Sequence, residues 1–173
     1  MEKLYSHILG TPVMEDDEIR PLTTVKDVVM DPDRGMLLAL VVDVSRNMVI
    51  APIDILSWGR AIRIHNGGVI IEGEEVVRIA EVLKRGISIF HNKVFTEEGV
   101  YLGRVFDFSL DNKSLSLNNL YIQKTFMGII RLDSRIIPAK EIVEITSEKI
   151  IVKSDMKVIK EEAAAVSTES AAV

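Results

Sequence analysis

Val94-Phe95-Thr96-Glu97-Glu98-Gly99-Val100-Tyr101-Leu102-Gly103-Arg104-Val105-Phe106-Asp107 reads as two strands running in opposite directions through a tight turn. β-Branched and aromatic residues fill both arms, and Gly99 stands where the chain must reverse. Gly103 interrupts the second arm, as expected where a strand bends sharply. Asp107 is placed to accept bonds from nearby backbone donors at the strand end.

Working outward, the same composition recurs earlier. Val25-Lys26-Asp27-Val28-Val29-Met30-Asp31 overlays Val105-Phe106-Asp107-Phe108-Ser109-Leu110-Asp111 at an offset of 80 positions, matching Val, Asp and Asp in rank. Pro52-Ile53-Asp54-Ile55 answers Pro138-Ala139-Lys140-Glu141-Ile142 with one residue inserted. The spacing predicts strands over 25–30, 36–42, 48–55, 61–64 and 69–71. After a helix they resume over 87–95, 101–110, 115–122, 127–132, 136–137, 142–145 and 149–153. Asp31-Pro32-Asp33-Arg34-Gly35 and Asn66-Gly67-Gly68 are tight turns. Between the two halves, Val76, Ile79, Ala80 and Leu83 fall on one helical face, with acidic residues at the start, Lys84 and Arg85 at the end and Gly86 as terminator. That face is expected to pack on one barrel or to span the gap between the two, with presentation to a partner as the competing reading.

The expectation is an all-β fold of two tandem small β-barrels: a first unit over 1–73, a connecting helix over 74–86, a second unit over 87–157 and a disordered tail over 158–173. The tail, rich in Ala, Ser and Glu, has little that can be buried.

Bulk properties narrow the function. With no cysteine, there are no disulfides, thiolate metal sites or thiol nucleophiles. A net charge of -5 opposes long-range attraction to phosphates, so direct nucleic-acid binding is disfavoured. Charged residues break every apolar run well short of the roughly 18 residues that a spanning helix needs. Without a signal-like start, a cytoplasmic protein with no membrane span is expected.

The quoted stretch, with its strand, glycine turn and Leu-Gly-x-Val-x-Asp order, resembles the opening of a PRC-barrel, and 136–142 resembles that family's closing element. The amino-terminal half keeps Leu9-Gly10-Thr11-Pro12-Val13 and 25–29 but has Leu22-Thr23 where the second has Leu102-Gly103. The resemblance implies a PRC-type barrel per half, similar to the cytoplasmic part of the reaction-centre H subunit and to the carboxy-terminal domain of the ribosome maturation factor RimM. Docking is the use it implies. The motif residues are then Gly99, Gly103, Val105, Asp107 and Pro138, with Asp27 and Pro52 in the first half.

No nucleophile elbow, phosphate loop, dinucleotide fingerprint or zinc-protease motif is present, so no catalytic residue, cofactor or metal is expected. His7, His65 and His91 are scattered without a second ligand at metal spacing. The cluster 15–18 reads as a solvated loop, and 31–35 as a turn, because a calcium loop's twelfth position falls on Val42. Trp58, Tyr121 and Phe126 are candidate partner contacts, with core packing as the competing reading for each. The expected function is a non-catalytic adaptor for a protein partner of unspecified identity, with homo-oligomer formation left open. The alternative is a ribosome- or RNA-maturation factor resembling RimM's carboxy-terminal domain.

Overall fold

The computed structural model describes residues 2–126, 130–154 and 159–160, with the backbone alone at 125–126, 130–132 and 159–160. The first half runs β1 (Glu2–Leu4), α1 (Tyr5–Ile8), β2 (Pro12–Glu15), β3 (Thr23–Thr24), β4 (Asp27–Met30), β5 (Leu37–Asp43), β6 (Met48–Ile50), β7 (Ile55–Trp58), β8 (Ile62–Ile64) and β9 (Ile71–Glu72). After α2 (Val77–Arg85) come β10 (Lys93–Thr96), β11 (Tyr101–Asp111), β12 (Leu117–Phe126), β13 (Ile130–Pro138), β14 (Ile142–Ile145), β15 (Lys149–Val152) and β16 (Ile159–Lys160).

One pairing scheme occurs in both halves. β4, β5 and β6 form an antiparallel meander, as do β11, β12 and β13. In each half the strand before the meander lies parallel to the second strand of a later hairpin: β2 beside β8 of β7–β8, and β10 beside β15 of β14–β15. Val13 pairs with Ile62 as Val94 pairs with Ile150, and all four are fully buried. The turns recur as well. The Asp31 carboxylate accepts from the Asp33 and Arg34 N–H groups at 2.9 and 3.2 Å. Asp111 does the same for Lys113 and Ser114 at 2.9 and 2.8 Å.

The halves differ where their sequences part company. β11 is one eleven-residue strand that leaves β10 and continues onto β12, and it can do so because Gly103 adopts φ +140° against the backbone of Gln123. At the corresponding place the first half has Thr23, whose side chain forbids that geometry, and the strand is cut into β3 and β4. The first half therefore splits into two four-stranded sheets, β3-β2-β8-β7 and β4-β5-β6-β9, whereas the second forms one sheet, β14-β15-β10-β11-β12-β13-β16, with β1 also on β11.

Among the described residues neither half closes into a cylinder, because β14 and β16 are open ends of the second half's sheet and the first half's two sheets end at β3 and β7 and at β4 and β9. The apolar interior is shared. One buried cluster joins Ile8, Val13, Leu40 and Ile64 of the first half with Phe108, Leu120, Ile122 and Ile150 of the second. The halves meet at Met36 and Ser116, positions that differ by the same 80 residues as the sequence overlay. There the Leu37 N–H donates to the Leu115 carbonyl at 3.0 Å and the Leu117 N–H to the Gly35 carbonyl at 2.7 Å, a reciprocal pair of local two-fold character.

The expected helix is shorter than 74–86. Residues Gly73–Glu75 form a 3-10 turn and α2 follows, capped by Gly86 at φ +61°. α2 is no bare connector: Ile79 and Val82 pack on Val29, Ala39, Val41 and Val49. Residues 87–92, expected as strand, are irregular, because His91 takes φ +63° as Gly10 takes φ +79° in the first half. The expected tail loses its start to β16, which pairs with Arg135 and Ile136, and the rest of that tail lies outside the described residues.

Candidate docking surface

The motif residues are structural in position. Val105 is fully buried, Gly99 turns the chain at φ +84°, and Thr96 accepts the Gly99 N–H on its carbonyl at 2.9 Å. Pro52 opens one 3-10 turn, Pro52–Asp54, and Pro138 caps its counterpart, Ala139–Glu141. The two aspartates meet at α1. Asp27 accepts the Tyr5 hydroxyl at 2.9 Å, and Asp107 accepts the Ser6 N–H at 3.1 Å and the Ser6 hydroxyl at 2.6 Å. Each also takes the N–H of the residue after it. One turn of helix thus binds a carboxylate from each half. The Tyr5 ring stacks on Phe108 at 4.7 Å and meets Phe90 at 5.0 Å, and burial, reinforced by the Asp27 charge, raises its phenol above the ordinary range.

A second charged junction escaped the sequence reading. The Arg78 guanidinium of α2 donates to both oxygens of buried Asp31, at 2.7 and 3.2 Å, and reaches Asp33 at 2.5 Å and Glu81 at 2.8 Å. Those bonds from Arg78, with the two backbone N–H groups, hold the Asp31 carboxyl below its usual range against the opposing effect of burial. No periodicity signals this contact, because the partners lie 47 positions apart.

A surface feature with repeated geometry is a pair of sheet edges that are free among the described residues. β7 ends one sheet and β14 ends another. Each follows a 3-10 turn, and each carries a bulge at its second residue, so that Leu56 and Val143 have no partner in the ladder. These residues are 42% and 52% exposed, and Ile53 just before β7 is 92% exposed. A bulge on an edge re-aims a side chain, and here it turns an apolar residue outward twice. The sequence signal that leads to them is the correspondence of Pro52-Ile53-Asp54-Ile55 with 138–142, which sets Ile55 against Ile142 just before Leu56 and Val143.

Of the expected contacts, Trp58 is half-buried at the end of β7, packed on the shared core, with the Lys3 ammonium 4.9 Å from its ring. Burial lowers the Lys3 pKa. Tyr121 is half-buried on β12, its hydroxyl 3.4 Å from the Glu2 carboxylate, and its phenol is raised chiefly by burial. The Phe126 side chain lies outside the described residues. Trp58 and Tyr121 both lie beside β1, Trp58 at Lys3 and Tyr121 at Glu2. Beside β14 lies a groove of about 180 Å³ formed with the 32–35 turn and Leu117. Among the described residues no group of three or more metal-ligating side chains is gathered, and no helix is long and apolar enough to cross a membrane. What this arrangement offers chemically is exposed backbone donors and acceptors beside apolar side chains, the chemistry of strand addition.

Comparison with known proteins places a PRC-barrel domain over residues 1–77. The match falls on the half whose strand-turn motif departs further from the family's order, and it reaches the start of α2. No curated protein matches the chain.

Proposed function

We propose that the chain is a non-catalytic adaptor made of two PRC-type units, the second over 87–157, which holds a protein partner through its free sheet edges. The observation that carries this reading is the recurrence, once per half, of an open edge with an outward apolar residue at the same bulge. Open edges with exposed apolar residues invite pairing unless they serve it. Support for the second unit comes from the repeated parallel pairing and the repeated aspartate turns. Support for a non-catalytic role comes from the carboxylates themselves: Asp27, Asp31 and Asp107 are each engaged by hydrogen bonds within the fold.

The test is affinity purification with quantitative crosslinking, comparing the wild-type chain with a Leu56→Glu/Val143→Glu variant of matched melting temperature. The expected result is a reproducible crosslinked partner with the wild type and its loss with the variant. A partner retained equally by both, or none with either, overturns the reading.

A further inference from the structure

Asn66-Gly67 is the one place in the sequence where glycine follows asparagine; Asn47, Asn92, Asn112, Asn118 and Asn119 each precede a residue with a side chain. Such a dipeptide is chemically labile, because no Cβ hinders the glycine nitrogen when it attacks the asparagine side-chain carbonyl. Asn66 is exposed and opens the 3-10 turn Gly67–Val69, so water reaches the bond. The turn also polarises the carbonyl, since Asn66 Oδ1 accepts the Gly68 N–H at 2.8 Å. The electrophile and its access are therefore in place.

The nucleophile is restrained. The Gly67 N–H donates to Glu15 Oε1 at 2.7 Å. Glu15 is itself fixed: it pairs with Ile64 at the end of β2, and the Arg63 guanidinium donates to the carbonyls of Glu15 and Asp16 at 3.0 and 2.7 Å. Asn66 lies at φ -163° and ψ 170°, where the Gly67 nitrogen does not eclipse the Asn66 Cβ as closure of a five-membered ring requires. Rotation toward ring closure draws the N–H off Glu15. Loss of the proton then builds negative charge on nitrogen near a carboxylate, which opposes it. The hydrogen bond belongs to the unreactive conformation, and Glu15 stabilises that one.

We propose that Asn66 is a site of spontaneous deamidation and that Glu15 holds the reaction back. In the reaction the Gly67 nitrogen bonds to Asn66 Cγ, its proton passes to hydroxide, and the Cγ–Nδ2 bond breaks as Nδ2 takes a proton from water and leaves as ammonia. Water then opens the resulting succinimide at either carbonyl, giving aspartate or iso-aspartate. The first carboxylate of the 15–18 run thus guards the turn after β8 and is not simply part of a solvated loop.

The experiment incubates the full wild-type chain, Glu15→Gln and Glu15→Ala at neutral pH and follows the tryptic peptide 64–78 by mass spectrometry, with a synthetic peptide of residues 61–71 as the unfolded reference. The synthetic peptide is expected to convert fastest and the folded wild type slowest, with Asn66 converting there before any other asparagine. Glu15→Ala is expected to convert faster than the wild type by about ten-fold or more, as for loss of a charge-assisted hydrogen bond from the ground state. Glu15→Gln should fall between them, since its amide oxygen still accepts but carries no charge. Amide exchange separates this role from general loosening: Glu15→Ala should speed exchange at Gly67 and spare Gly68, whose bond to Asn66 remains. Melting curves check that the variants fold, and Glu15→Gln carries the comparison if Glu15→Ala does not. A wild type that converts as fast as the synthetic peptide, or another asparagine converting first, overturns the proposal. So does a Glu15→Ala rate equal to or below that of the wild type, the latter making Glu15 a base that promotes the reaction. Equal acceleration of exchange at Gly67 and Gly68 assigns the protection to the turn as a whole and overturns it too.

Discussion

Gly103 and Gly10 both have positive φ, yet they should respond very differently to substitution. A Cβ on Gly103 would run into the Gln123 carbonyl oxygen and come within 2.7 Å of its carbonyl carbon, whereas one on Gly10 meets nothing within 4 Å. Gly103→Ala must therefore either break the β11–β12 register or move the backbone, at a cost of about 3 kcal/mol. Gly10→Ala faces only the left-handed φ that His91 already tolerates, at about 1 kcal/mol. Urea unfolding of the two variants checks the contrast, and equal losses would discredit the close-approach explanation. Gly103 was legible in the sequence as a bend, but the Gln123 backbone that enforces it was not, because the two are 20 positions apart.

α2 is held to the 31–35 turn by the Arg78–Asp31 contact. The folded Asp31 carboxyl has a lowered pKa, so its contribution is complete above the usual unfolded value near 4 and fades as pH falls through the folded value. Asp31→Asn should therefore be less stable than the wild type at pH 7, with the difference shrinking as the pH is lowered toward 3. Chemical denaturation at several pH values measures this, and a gap that stays constant argues against it. Arg78→Met should speed amide exchange at Ile79 and Val82 more than at Val105, because it frees the helix without touching the shared core. The helix itself was readable from its period and from Gly86. α1 was not, since four residues are too few to show a period, and its position depends on Asp27 and Asp107, which lie far along the chain.

The shared interior has a cooperative consequence. Trp58, the single tryptophan, lies in the first half, and Phe108 is buried in the second. Phe108→Ala removes the ring that stacks on Tyr5 and should cost about 3–5 kcal/mol. It should lower the midpoint of the Trp58 fluorescence transition as far as that of far-ultraviolet circular dichroism, and the two should coincide in the wild type as well. Separate transitions, with Trp58 indifferent to Phe108, would mean that the halves fold independently.

Local residue pattern was enough to determine that the chain is β-rich, that 25–31 and 105–111 correspond, that 31–35 is a turn and where one amphipathic helix ends, because each depends on neighbours within a few positions. Tertiary structure alone decided that the halves share an interior, that one forms a continuous sheet while the other splits in two, and that Leu56 and Val143 stand outward on open edges. These outcomes come from contacts such as Met36 with Ser116 and Gly103 with Gln123, made between segments whose separate patterns are satisfied equally well by two isolated barrels.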